Sequence, residues 1–423
     1  VIVVAEHRPK LRRLERLSRI KSVATPERGA RMPAFLGSRP DVDPDRVLGR
    51  LQVILAGAGS VGGSCILSIA RQDPRAIIIA DPKPYKPESL LTNGVVFPRD
   101  LHRWKADHVA KCCAEVSRNT WVDAFAGGFE DLPLTRVADA DFIFCCTDRI
   151  SAELQVARAA MHLGIPVMYC NVEGSSGLYQ IRYFANSDPQ DACPACNMTP
   201  AELGMAADDG PGFSCETVGE EDRAGREEPV TRSIPALCGL AGHMGALLMN
   251  KVVLRLGQPL PNSCMVEGTF IRPEYAAVIP LDRNKGCIED HSRWRRRPLA
   301  KPLRGHAIRE LLEASGINSD GGDAVLGLGD GFRYVVRGEC PRCGPRPIER
   351  FWSKRRNRRC RCGAELRTNA FHTLDAVPLS VLRPQLDRRV AALGATSASW
   401  ALIRHHGAGT WLSWKDAEGG DGS

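Results

Sequence analysis

No run in this sequence approaches the ~20 consecutive apolar residues of a membrane span. The opening VIVVAEHRPK is too short an apolar run for a secretory signal. Internal repeats are lacking, so no repeat array is expected. The first residue is Val rather than Met, so the expectation is that the true N-terminus is missing. Acids are absent from Ser292–Arg304, SRWRRRPLAKPLR, which holds six basic residues, and Gly344–Arg367 has nine basic residues against two acids. The net charge of +8 is therefore local. Such stretches meet an acidic partner or nucleic acid, or are simply solvated surface. There are 16 cysteines, several in close pairs. Without a secretory signal, that pattern favours metal ligation and thiol chemistry in a reducing, cytoplasmic setting over disulfides.

With 423 residues the chain has room for two or three domains. Residues 1–47 read as a basic arm rich in Arg and Pro. From residue 48, apolar runs (LQVILAG, AIIIAD, ADFIFCCTD, GIPVMYCNVEG) alternate with amphipathic ones (GGSCILSIARQ, KADHVAKCCAEVSRN, SAELQVARAAMHLG). That βαβ rhythm predicts an α/β fold with a doubly wound, Rossmann-like, mostly parallel sheet. Residues 184–233 read as a long functional loop, and the segment from Pro235 as a buried helix with small residues for close packing. The expected core domain runs over 48–316 up to a Gly-rich boundary after Ile317, then comes a zinc-ribbon module over 325–375, then a small segment and disordered tail over 376–423.

Gly57, Gly59 and Gly62 form G-x-G-x-x-G between a strand and a helix, with Asp81 ending the next strand. The first two glycines let the backbone turn and approach a phosphate. The third lets the helix pack closely, and the carboxylate suits ribose hydroxyls. The loop alone fits NAD, FAD or ATP. A nicotinamide pocket and hydride partner are not apparent, which leaves an oxidoreductase the weakest reading. Instead Lys105 opens the next helix and Asp148 stands at a strand tip. A Lys can neutralise α- and β-phosphates and an Asp can hold Mg²⁺ against them. Taken singly, Lys105 also reads as a surface lysine and Asp148 as a helix cap.

The order VILAGAGSVGG, IIIADP, WKADHVA, CCTDRISAE, GIPVMYCNVEG resembles the adenylyltransferase domain of the ubiquitin-activating superfamily. Bacterial enzymes that activate sulfur carriers for thiamine and molybdopterin synthesis belong to the same group. The resemblance spans about residues 48–257. It implies binding of ATP with Mg²⁺, adenylation of the C-terminal Gly-Gly carboxylate of a ubiquitin-like or sulfur-carrier protein, and a homodimer. Carried over, Gly57, Gly59 and Gly62 hold phosphate, Asp81 the ribose, Lys105 phosphate, and Asp148 Mg²⁺. Lys83 stands where the family has a second acid, and Thr92 or Asn93 near its Arg. Lys83, Arg99, Arg103 or the basic arm are candidates to replace that charge.

Cys193 and Cys196 form C-x-x-C, which in the resembling family is half of a structural Zn²⁺ site. Cys287 and His291 are the expected closing pair, with Cys264 the next candidate. Cys340, Cys343, Cys360 and Cys362 make a second set, paired knuckles of a zinc ribbon that metal would largely fold. Within the ribbon, ERFWSKRRNRR mixes aromatics with arginine, as suits bases and phosphates, an acidic protein, or a plain brace. Many members of the resembling family pass the adenylate to a cysteine. Cys215, in a charged loop, is the expected nucleophile, although nearby acids would raise its pKa, and Cys238 is its rival. Cys112, Cys113, Cys145, Cys146 and Cys170 read as buried small hydrophobes. The leading expectation is therefore an ATP-dependent activating enzyme. The alternatives are an adenylyltransferase for a peptide or small carboxylate, and a catalytically weak nucleotide-binding module that recruits a partner or nucleic acid through its ribbon.

Overall fold

The protein was analysed as a computed structural model, which describes residues 11–13, 42–174, 176–207, 233–272, 276–289, 291–318, 322–329, 332–353, 359–367, 373–374, 376–406 and 408–414. The chain divides into two compact units, one of Val1–Leu132 with Asp139–His291, the other of Pro133–Ala138 with Ser292–Ser423.

The first unit is built on β1 (Leu11–Arg13), α1 (Pro44–Leu48), β2 (Gln52–Ala56), α2 (Ser60–Ala70), β3 (Ala76–Ala80), α3 (Ser89–Thr92), α4 (Lys105–Val116) and β4 (Trp121–Phe125). After α5 (Leu134–Ala138), which belongs to the second unit, come β5 (Phe142–Cys145), α6 (Ile150–Leu163), β6 (Val167–Glu173), β7 (Leu178–Phe184), α7 (Pro200–Ala207), α8 (Pro235–Val253), β8 (Ser263–Thr269) and β9 (Ala276–Pro280). They make a nine-stranded sheet in the order β1-β4-β3-β2-β5-β6-β7-β8-β9. From β4 to β6 every pairing is parallel. All five residues of β2 and all four of β5 are buried, as unalternated apolar strands must be when both faces are covered. The strand order reverses between β2 and β5, which opens a crevice at their C-terminal ends. The parallel centre is the expected doubly wound sheet. The antiparallel additions β1, β7, β8 and β9 were not expected.

Small residues let α8 approach the sheet and α2. A Cβ on Gly242 would lie 2.6 Å from the Val61 carbonyl oxygen and 2.7 Å from the Cys65 nitrogen, both backbone atoms of α2. Gly242→Ala is expected to destabilise the protein, because overpacking of about 1–3 kcal/mol exceeds the roughly 1 kcal/mol gained in helix propensity. A lowered urea midpoint at unchanged m-value is the measurement. Helix α8 also corrects one expectation. It is 19 residues long and is the one described helix apolar enough to cross a bilayer. It packs with Leu237, Ala241 and Met249 buried, and Leu240 and Leu247 exposed.

In the second unit, β10 (Trp294–Pro298), α9 (Ile308–Ser315), β11 (Val325–Leu328), β12 (Phe332–Cys340), β13 (Gly344–Ser353), β14 (Thr373–Leu374), β15 (Ala376–Pro378), α10 (Leu379–Leu382), β16 (Trp400–His405) and β17 (Ala408–Ser413) follow. They form a five-stranded sheet, β10-β17-β16-β11-β15, and a three-stranded one, β13-β12-β14. The boundary expected at 316 falls at 291/292, because β10 pairs in parallel with β17 more than 100 residues later. Nor is the ribbon a separate module with little apolar content. Phe332, Tyr334 and Phe351, at the hairpin's base, are buried in one cluster with Leu326, Leu379, Leu393 and Ile403. The Tyr334 hydroxyl accepts a hydrogen bond from Gln385 Nε2 at 2.8 Å.

Candidate active site

The crevice at the switch point is a cavity of about 460 Å³ whose wall includes Gly57, Gly59, Asp81, Lys83, Lys105 and Asp148. The glycine loop runs from β2 into α2. Gly57 has φ +91°, and a Cβ there would sit 2.6 Å from the Cys146 carbonyl oxygen. A Cβ on Gly62 would collide with the Gly57 carbonyl oxygen, so the third glycine lets α2 close onto the loop. Gly59 faces open space, with nothing within 4 Å of a Cβ built on it. That opening, directly before the first turn of α2, is what an anionic group needs to reach helix N–H groups.

Asp81 is 6% exposed, and its two oxygens accept the Ala58 N–H at 2.7 Å and the Lys83 N–H at 2.8 Å. It therefore braces the loop as well as lining the cavity. Burial pushes its carboxyl up from the ordinary range, and Lys105 beside it pulls it partly back. Lys105 is the first residue of α4, and its N–H donates to the Lys83 carbonyl at 3.1 Å. Asp148 follows β5, with Lys83 Nζ 3.8 Å from its Oδ2. It is not the cap of α6: Arg149 holds that position, and no side chain caps the helix.

Of the cations offered for the missing Arg, Lys83 is the one among the described residues that reaches the cavity wall, and most of the basic arm lies outside the described residues. Arg99 lies over the Phe97 ring at 4.7 Å, and Arg103 pairs with Asp100 at 3.2 Å. Sequence reasoning missed Arg149, which also lines the cavity; Thr92, noted in the sequence as standing near the family's Arg, lines it too, and its Oγ1 accepts the Ser60 hydroxyl at 2.9 Å. It missed a buried ion pair too. Glu153, on α6 and in the cavity wall, takes Arg182 Nη2 at 2.7 Å and Asn171 Nδ2 at 3.2 Å. Burial works against the Arg182 charge, but Glu153 holds its pKa above the ordinary value. Nothing marked this pair in the sequence, since Arg182 lies on the unexpected β7.

Cys215 lies outside the described residues. Cys238, in the first turn of α8, is buried and lines the cavity. Cys113, Cys145 and Cys170 are buried as read, and burial pushes the Cys113 and Cys145 thiols up. Cys112 and Cys146 are only partly buried, a correction: Cys112 is in the second half of α4, and Cys146 lies just past β5 where the cavity opens.

Two sets of ligand-type side chains converge. Cys193, Cys196, Cys287 and His291 place one ligand atom each within 4.8 Å of all the others. Cys193 Sγ is 3.8 Å from Cys196 Sγ and 3.7 Å from Cys287 Sγ, and Cys196 Sγ is 3.3 Å from His291 Nε2. Two thiolates on tetrahedral zinc with ~2.3 Å bonds stand about 3.8 Å apart, whereas a disulfide needs about 2.05 Å. His291 Nδ1 lies 3.1 Å from the Asp191 carbonyl oxygen, which turns Nε2 toward the thiols. Cys264 stands apart from this set. Cys340, Cys343, Cys360 and Cys362 form the second group, with Cys340 Sγ 3.5 Å from Cys362 Sγ. The β12–β13 turn supplies the first pair and the following loop the second. Both donor sets suit Zn²⁺.

A family model described as the ThiF family matches residues 40–286, more than half of the chain. The chain belongs to the ThiF family. This membership makes it a nucleotide-binding enzyme of the adenylyltransferase type, and the ThiF match stops short of β10 and everything beyond it. Among solved structures, E. coli MccB with ATP is similar at 13% identity, covering 58% of this chain and 68% of that one, with a TM-score of 0.44. PaaA is similar at 16% identity, covering 56% and 66%, with a TM-score of 0.42. No curated protein sequence matches the chain.

Proposed function

We propose that this ThiF-family protein adenylates the C-terminal carboxylate of a small protein or peptide. The observation that carries the reading is the switch-point cavity, whose lining gathers the glycine loop, Lys83, Lys105, Arg149 and Asp148. In this reading the loop and the α2 N-terminus cradle the phosphates of ATP and Asp81 faces the ribose. Lys83, Lys105 and Arg149 offset the charge that builds as a carboxylate oxygen bonds to the α-phosphorus and its bond to pyrophosphate breaks. Asp148 would hold Mg²⁺, which neutralises phosphate charge when bound. The acceptor in the first reading is a ubiquitin-like or sulfur-carrier protein ending in Gly-Gly. A peptide or small carboxylate is the second. Transfer to a thiol, Cys215 or the cavity-lining Cys238, would follow only in the first.

Leu240 and Leu247, exposed one above the other on α8, support a homodimer. The thiol-rich sequence supports a cytoplasmic setting. The test is ATP–pyrophosphate exchange with a panel of proteins ending in Gly-Gly, free peptides and small carboxylates. Exchange should require one class of acceptor and vanish when its carboxyl is amidated. ATP binding without exchange in any case would instead make the protein a nucleotide sensor.

A further inference from the structure

Residues 292–423 hold 24 Lys and Arg against 13 Asp and Glu, an excess greater than the whole chain's +8. The remainder of the chain is thus acidic on balance. The excess gathers on the β12–β13 hairpin and the loop that completes the Cys340 set. Arg337, Arg342, Arg359, Arg361 and Arg367 are exposed and Arg346 is half-exposed. Among the described residues, none of these six guanidiniums is paired with a carboxylate. Part of this charge answers the metal site. Four thiolates around Zn²⁺ carry about −2, which two arginines offset. Glu339, Glu349 and Glu365 lie in the same stretch. Set against all eight described arginines of residues 332–367, these acids and the metal site still leave about +3.

We propose that this metal-held hairpin binds the phosphate backbone of a nucleic acid. Planar guanidiniums presented by both faces of the hairpin and by its closing loop suit a flexible chain of phosphates that can wrap around them, without needing each partner placed individually. An acidic protein would have to present its carboxylates one by one. Half-buried Trp352 stands opposite Arg333 in the β12–β13 register, which puts an aromatic ring beside the arginines of the same hairpin. The inference stands apart from the adenylation reading, since the hairpin lies beyond the ThiF-matched residues.

The experiment uses the full-length, zinc-loaded protein and a fluorescein-labelled oligothymidylate of roughly 20 nucleotides, long enough to span a single-strand site. Anisotropy should report binding that weakens about twentyfold between 50 and 200 mM salt if three phosphates are engaged. The variant R337A/R346A/R361A should lower the salt slope by about 2 while keeping its zinc and its exchange activity. No salt-dependent binding at 50 mM, or binding by the variant equal to the parent's, overturns the proposal. Displacement of the probe by polyglutamate at equal charge overturns it as well and assigns the surface to an acidic protein.

Discussion

Asp148→Ala is expected to lower ATP–pyrophosphate exchange by about a thousandfold, roughly 4 kcal/mol of transition-state stabilisation. The protein should stay folded. Asp148 caps no helix, and its side chain is 40% exposed, 3.8 Å from Lys83, which is 30% exposed. A partly solvated pair of that kind contributes at most about 1 kcal/mol to stability. Unchanged exchange in this variant would remove the adenylation reading altogether. Arg149→Ala offers the finer measurement. Should Arg149 supply the charge missing near Thr92, its loss should lower the maximal exchange rate by about tenfold to a hundredfold. An effect on the apparent KM for ATP alone would make it a binding group only.

Cys193→Ser should release one of two bound zinc ions and lower the thermal midpoint by about 10 °C or more, since structural zinc contributes folding free energy outright. Its site shares a buried cluster with Leu154 and Met161 of α6, the helix whose first turns place Arg149 and Glu153 in the cavity wall. Exchange should therefore fall along with stability. Cys340→Ser should release the other ion with exchange intact. Metal analysis that finds one zinc per chain in the parent protein would eliminate one of the two sites.

The parallel centre of the sheet was legible because β2, β3 and β5 are buried on both faces and so are written in unbroken apolar residues. WVDAF of β4 was not, since Asp123 interrupts it, although it too is buried. The meander β7–β9 escaped for another reason. It alternates apolar and polar residues only loosely and follows β6 through a short turn, where continuing βαβ rhythm predicts a helix. At the site, the glycine loop, Lys105 and Asp148 could be found because their spacing follows from the fold that carries them. Glu153, Arg182 and Asn171 meet only after β6 and β7 pair, so no local pattern announces them. The metal ligands show the same split: C-x-x-C is local, while His291 is drawn in from a turn 95 residues away from Cys196.

Asp81 holds the glycine loop by the Ala58 amide, and the Gly57 N–H donates to the Ala80 carbonyl at 2.9 Å, so the loop is tied to the end of β3 at two successive residues. In calorimetric terms, the ordering entropy of the phosphate cradle is settled during folding rather than during binding. Nucleotide association should then show a small heat-capacity change and no lag from loop closure. Its rate would be set by diffusion and by the mixed charge at the cavity mouth, which favours the magnesium complex over the free polyanion.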